Sequence, residues 1–217
     1  MLKYLLVGIL VVVLLVSSYF AVYYYNSSQA LMRRIQGATI ESAREFHHIL
    51  LYATDVLESL EYETERENIR DLIDYFTWYI YSARASLHTL RTYLIPSYED
   101  SLLIVEDLLW NMYAPSLNGV GNVFETFGHL LDLWRTNASL VTTAFNELNQ
   151  VASDKIDEMG FELAEAFEWG RRNGDVYTFK IIPSRMENVV AIANDLRTIL
   201  NEWVTKYCMH ACIVMGM

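Results

Sequence analysis

The chain has 217 residues, 53% of them hydrophobic, and its 27 acidic and 16 basic side chains leave a formal net charge of −11. That length supports one cored domain even after a hydrophobic segment is set aside, and three prolines and nine glycines are too few for a turn-rich sheet protein. The acidic balance repels phosphate backbones and no basic cluster offsets it, which argues against nucleic acid as a partner, while two cysteines are too few for a disulfide-stapled scaffold.

Residues 1–3 form a short flank, and Tyr4 to Tyr25 contains no charged side chain. Twenty-two helical residues rise about 33 Å, which matches a bilayer core of roughly 30 Å. Tyr4 at one end and Tyr19, Phe20, Tyr23, Tyr24 and Tyr25 at the other suit the water–lipid interface. A cleaved signal peptide is the rival reading, with Val16-Ser17-Ser18 or Ser28-Gln29-Ala30 as the cleavage site. The apolar run continues past the first of these, so the segment is read as a retained signal anchor and the lipid bilayer as a partner. Arg33, Arg34 and Arg44 stand against Lys3 and do not favour export by the positive-inside rule. The acidic remainder and the sequons Asn26-Ser27-Ser28 and Asn137-Ala138-Ser139 point to an extracytoplasmic domain of a single-pass membrane protein.

Beyond the anchor, residues 26–207 read as an elongated antiparallel bundle of long amphipathic helices, so the fold class is all-α. The first stripe is Leu31, Ile35, Ala38, Ser42, Phe46, Ile49, Ala53, Val56 and Leu60, continuous with the anchor and fading over Glu61 to Asn68. Thr64-Glu65-Arg66-Glu67 fits a capping box for a helix carrying Ile69, Ile73, Phe76, Ile80, Ala83, Leu87, Leu90 and Leu94. Pro96 stops that helix, and Ser97-Tyr98-Glu99-Asp100 opens another with Leu102, Val105, Leu109 and Met112 on one face.

Ala114 to Gly119 reads as a loop, and Asn122 caps the longest pattern. Its stripe is Phe127, Leu131, Trp134, Ala138, Val141, Phe145, Leu148, Ala152, Ile156, Met159, Leu163, Ala166 and Gly170. Unbroken from Asn122 to Arg172 it is a rod of about 75 Å, with Ser153 and Gly160 as the weak points. Asn173-Gly174 is a stop, Asp175 to Ile182 an extended connector, and Ser184 the cap of a last helix with Val189, Ala193, Leu196, Leu200, Trp203 and Tyr207 on one face. The five tryptophans, 78, 110, 134, 169 and 203, are read as core anchors, and their irregular spacing excludes a tetratricopeptide array. Residues 208–217 are an apolar tail.

Three clusters invite a chemical reading, and each has a plainer one. Glu45 and His48 have the spacing of a di-iron ligand pair, but such sites need a second pair and two more glutamates on the core face. Phe46 and Ile49 put that face elsewhere, so both are read as solvated. Glu125, His129 and Asp132 share a helix face that could hold a divalent ion with help from another helix, and are read as an ordinary polar face. Cys208, His210 and Cys212 lack a fourth zinc ligand and are read as part of the tail. No glycine-rich phosphate loop or Gly-x-Ser-x-Gly turn occurs. The expectation is a non-enzymatic, membrane-anchored scaffold or interaction module without cofactor, catalytic residue or metal. It engages a protein partner or self-associates through its helical surfaces. A sensory or ligand-binding ectodomain is the alternative, and a metal-binding bundle enzyme the third reading.

Overall fold

A computed structural model describes the backbone of residues 2–113, 122–172 and 176–215, and the side chains of these except 2–12, 94, 96, 113, 169–172, 176–178 and 209–215. Helices are α1 (Leu2–Tyr62), α2 (Arg66–Thr89), α3 (Glu99–Tyr113), α4 (Val123–Glu165) and α5 (Pro183–Met215), and strands β1 (Phe167–Arg172) and β2 (Val176–Ile181) pair antiparallel between α4 and α5. The chain divides into two compact units, residues 1–38 and 39–217.

In the first unit the described side chains 13–34 are all exposed. Tyr19 stacks on Tyr23 and Phe20 on Tyr24, with ring centroids 6.5 and 6.3 Å apart. Among the described residues no helix is long and apolar enough to cross a membrane. The expected span over 4–25 is therefore corrected, and with it the signal anchor and the single-pass, extracytoplasmic localisation. The physical reason lies in the described part of the run. Only Val13 to Val16 are uninterrupted aliphatics, and beyond them Ser17, Ser18 and four tyrosines dilute the apolar content before Asn26, Ser27, Ser28 and Gln29. The side chains of 4–12 lie outside the described residues.

The second unit is a helical bundle, and its helices form where the apolar stripes lie. Every described stripe position of α2, α3 and α5 is buried, from Ile69 to Leu90, Leu102 to Met112 and Val189 to Tyr207. Of the α1 stripe, Phe46, Ala53, Val56 and Leu60 are buried, whereas Ile35, Ala38, Ser42 and Ile49 are half-buried and Leu31 is exposed; Ile40, Ala43, Leu50 and Leu57, outside that stripe, complete the buried face. Neighbouring helices run antiparallel. Ser86 Oγ of α2 donates to the Ser42 carbonyl of α1 at 3.3 Å, and further along Tyr52 stacks on Tyr79. On the next pair, Arg91, in the turn that follows α2, meets Glu99 of α3 at 2.8 Å while Arg84 of α2 lies over the Trp110 ring.

The expected 75 Å rod does not exist. Asn137 leaves the helical region (φ −151°, ψ 64°) and folds α4 back on itself into legs 123–136 and 138–165. Phe127 and Phe145, on opposite sides of the break, have ring centroids only 5.6 Å apart. Asn137 Oδ1 accepts the Leu140 amide at 3.2 Å, so this residue caps the second leg, and residues 135–139 form an exposed corner. The first leg lies along α2, with Phe124 and Phe127 against Phe76 and the Leu131 carbonyl accepting from Arg66. The second returns along α1, where His47 Nε2 meets Asp157 Oδ1 at 2.9 Å and Asn149 donates to Glu61 at 2.7 Å.

The hairpin is the other departure from the sequence reading. Helix α4 stops at Glu165, and Phe167 to Arg172 pair with Val176 to Ile181 from Phe167↔Ile181 to Arg172↔Val176. The β-branched and aromatic run Val176 to Phe179 favours a strand and recruits its neighbour. Phe167 stacks on Phe179 at 6.2 Å. Helix α5 then begins on Pro183, whose fixed φ suits a first helical position, rather than on a Ser184 cap. It runs back along the second leg of α4, with Lys155 against Asp195 at 3.4 Å and Trp203 Nε1 donating to the Ala144 carbonyl at 2.9 Å.

Two ends differ in detail. Asn122 caps α4 as expected, its Oδ1 accepting the Glu125 amide at 2.7 Å. At α2 the expected capping box does not form: the N-cap is Glu65 and makes no side-chain capping bond, while the Glu63 carboxylate accepts the amides of Thr64 and Glu65 ahead of the helix. Before Pro96, α2 widens into a π turn over Leu90–Leu94, with the Ile95 amide reaching back to the Leu90 carbonyl at 2.9 Å. The loop over 114–119 and the stop at Asn173-Gly174 lie outside the described residues.

Candidate functional site

The structure separates most of the polar residues that the sequence singled out. Glu45 and His48 are both exposed. Glu125 is exposed, His129 half-buried, and Asp132 exposed with Arg66 at 3.9 Å. Among the described residues no group of three or more histidine, cysteine, aspartate or glutamate side chains is placed to hold a metal ion. Cys208 is half-buried against the core, whereas the side chains of His210 and Cys212 lie outside the described residues.

The tryptophans depart from the anchoring role expected of them. Trp203 is buried and Trp134 packs partly buried against the core, but Trp78 and Trp110 are 60% and 43% exposed. Trp169 has no described side chain. Exposure is the informative observation, because a large aromatic left in water forgoes roughly 2 kcal/mol of burial.

Trp78 sits in company. Tyr75 and Tyr81 on α2 and Tyr52 on α1 are also more than half exposed. Tyr52 stacks on Tyr79 at 5.6 Å, and Trp78 meets Tyr79 edge-on at 5.1 Å. Of these rings, Trp78 and Tyr81 line a groove of about 420 Å³ between α1 and α2, with Ser42, Glu45 and Ile49 on the α1 side and Ser86 among others beside them on α2. The core stripes of the same two helices face the other way: Phe46 and Ala53 of α1, and Phe76, Ile80 and Ala83 of α2, are all buried. Small side chains, Ser82, Ala85 and Ser86, keep the groove open, since α2 carries no bulk there to fill the crevice against α1.

Comparison with protein-family models, curated proteins and solved structures finds no match.

Three polar clusters elsewhere in the bundle are structural in character. Glu106 of α3 is 5% exposed and receives Arg91 Nε at 2.8 Å, with His88 at 3.3 Å and Arg84 at 3.5 Å. A buried carboxylate held by two guanidinium groups and an imidazole joins α2 to α3, and removing it would strand the two arginines. His47 crosses α4 at Gly160, where an added Cβ would lie 2.9 Å from His47 Cδ2 and 3.1 Å from its Cα, so only glycine lets the helices approach so closely there. The histidine–aspartate pair at this crossing is not evident from the sequence, although the glycine three positions beyond Asp157 is a usable signal of close approach.

On α4 and α5, Glu147 Oε2 accepts from both Lys206 Nζ and Tyr207 Oη at 2.5 Å. Burial works upward on the Glu147 carboxyl, but the hydrogen bonds from Lys206 and Tyr207 outweigh it and hold the group below its ordinary range. Glu147 in turn raises Lys206, and Tyr207 is pushed up by burial and then by its bond to Glu147. The groups share one proton-rich contact that ties the start of the second α4 leg to α5. Lys206 also borders a shallow pocket of about 460 Å³ along α5, lined otherwise by Thr198, Asn201, Glu202 and Thr205, with no aromatic ring among them.

Proposed function

We propose that the chain is a non-enzymatic helical interaction module that docks a protein partner on the α1–α2 face. One observation carries the reading: Trp78 and Tyr81 lie exposed on the wall of one groove instead of in the core, and Tyr52 and Tyr75 are exposed on the same two helices. Tryptophan and tyrosine are the residues that most often dominate binding energy, because each covers a large apolar area at little rotamer cost. Helices with a crevice between them take a partner helix into that crevice, reading side chains three and four apart. The groove's hydroxyls and single carboxylate provide the few polar groups that fix orientation.

The test is a photoreactive phenylalanine placed at position 78 of the full chain in its native cells, with position 158, an exposed site on α4, as the control. The reading expects a discrete adduct from position 78, none from 158, and its loss when Tyr52→Ala and Tyr81→Ala are added. Equal labelling from both positions, or no adduct from 78, contradicts it.

A further inference from the structure

We propose that the α1–α2 groove receives an arginine- or lysine-bearing helix of a protein partner, its cation lying over the Trp78 indole and facing the Glu45 carboxylate. The inference rests on the docking reading and adds the chemistry of what docks. The only charged side chain lining the groove is Glu45, which is exposed and has no ion pair among the described residues. Beside it stand the Trp78 and Tyr81 rings, 60% and 57% exposed. An aromatic face carries a negative quadrupole, and of the aromatic side chains tryptophan holds a cation best. A carboxylate lining the same groove as such a ring selects for positive charge and against an anionic or wholly apolar occupant, which would leave Glu45 uncompensated as water is expelled.

The same chemistry is already used inside this fold. Arg84 lies 4.3 Å over the Trp110 ring, Arg185 lies 5.8 Å from the Phe161 centroid, and Lys206 lies 5.0 Å from that of Tyr207. No such cation sits on Trp78 among the described residues. A net charge of −11 also draws a basic partner from a distance and raises its encounter rate.

The shape of the groove favours a helix as the carrier of that cation. It follows residues 42, 45 and 49 of α1 and 78, 82, 85 and 89 of α2, the spacing of one helical face each. From 78 to 89 the α2 side runs about 16 Å, three turns. Two antiparallel helices offer a third a seat of this kind, in which its ridge of side chains settles between theirs.

The experiment titrates the isotope-labelled full chain, observed residue by residue by NMR, with an alanine-rich helical peptide of about 15 residues carrying one central arginine. Its twin carries citrulline, which keeps the shape and loses the charge. Saturable shifts are expected at the Trp78 indole and at Ser82 and Ala85, with affinity about three- to fivefold lower for the citrulline twin. Glu45→Gln, an exposed substitution, should reduce that preference while leaving the shifted residues the same. Equal binding by the twins with the position-78 adduct intact overturns the cation preference and leaves the docking surface standing. Shifts scattered over other acidic faces overturn the assignment to this groove. Tetramethylammonium that saturates the same residues as tightly as the arginine peptide would overturn the helical occupant in favour of a small cation.

Discussion

Glu147, Lys206 and Tyr207 show how single side chains set the conditions under which this bundle holds. The folded state lowers the Glu147 pKa, so its contribution is present above the unfolded value of about 4.3 and is lost as the pH falls through the folded one. Tyr207 runs the other way: its pKa is raised, so its contribution is complete below the unfolded value of about 10 and disappears as the pH climbs through the folded one. Lys206 follows the same direction as Tyr207. Glu147→Gln should therefore be less stable than the parent at neutral pH, with the gap closing as the pH drops below about 4.3. Urea midpoints measured across pH 3–7 check this, and a gap that stays constant into acid would mean that the carboxylate charge contributes nothing. At this scale the sequence is partly legible. Spacing alone places Tyr207 on the core face, but its partner lies on a distant helix, and nothing local in the sequence points from Lys206 to Glu147.

The fold-back of α4 is the main lesson at the scale of elements. Hydrophobic spacing carries the stripe straight through Ala138, because a helix periodicity read along a sequence keeps its phase across a tight corner. The structure makes 135–139 an exposed turn, with Asn137 capping the second leg. The signal is present as a polar run, Arg135-Thr136-Asn137, in which asparagine is a preferred cap and a poor interior residue. The two geometries differ by an amount that energetics can read. A straight helix would hold positions 127 and 145 about 27 Å apart at 1.5 Å per residue, whereas their rings are 5.6 Å apart. A double-mutant cycle of Phe127→Leu and Phe145→Leu should return a coupling of about 0.5–1.5 kcal/mol. A coupling of zero would restore the rod. Helix α2 is legible almost completely, from Ile69 to Leu87, because its stripe lies between a polar break at Glu61 to Asn68 and Pro96. The hairpin is legible only in its second strand, since Phe167 to Arg172 continues the helical pattern and becomes a strand only by pairing with β2.

For the whole molecule, apolar content alone is a poor guide to what the first residues do. The reading of 4–25 counts uncharged residues and treats serine and tyrosine as compatible with lipid, and the described helices contain no stretch of the required length and apolarity. The all-α class and the core are legible because amphipathic stripes set them directly. The groove is not, since spacing assigns all five tryptophans to the core and does not distinguish an inward ring from an outward one without knowing which face a neighbour covers. Trp78 lies two positions beyond the buried Phe76, about 200° around the helix, and so points away from the core that Phe76 fills. An outward face that serves a partner, as proposed, contributes little to the fold itself. Denaturant unfolding of the isolated chain carrying Trp78→Ala and Tyr81→Ala tests that most directly. Stability within about 0.5 kcal/mol of the parent is expected for each exposed change; a loss approaching the roughly 3–5 kcal/mol of a buried phenylalanine truncation would show the aromatic face to be part of the core and contradict a docking role for it.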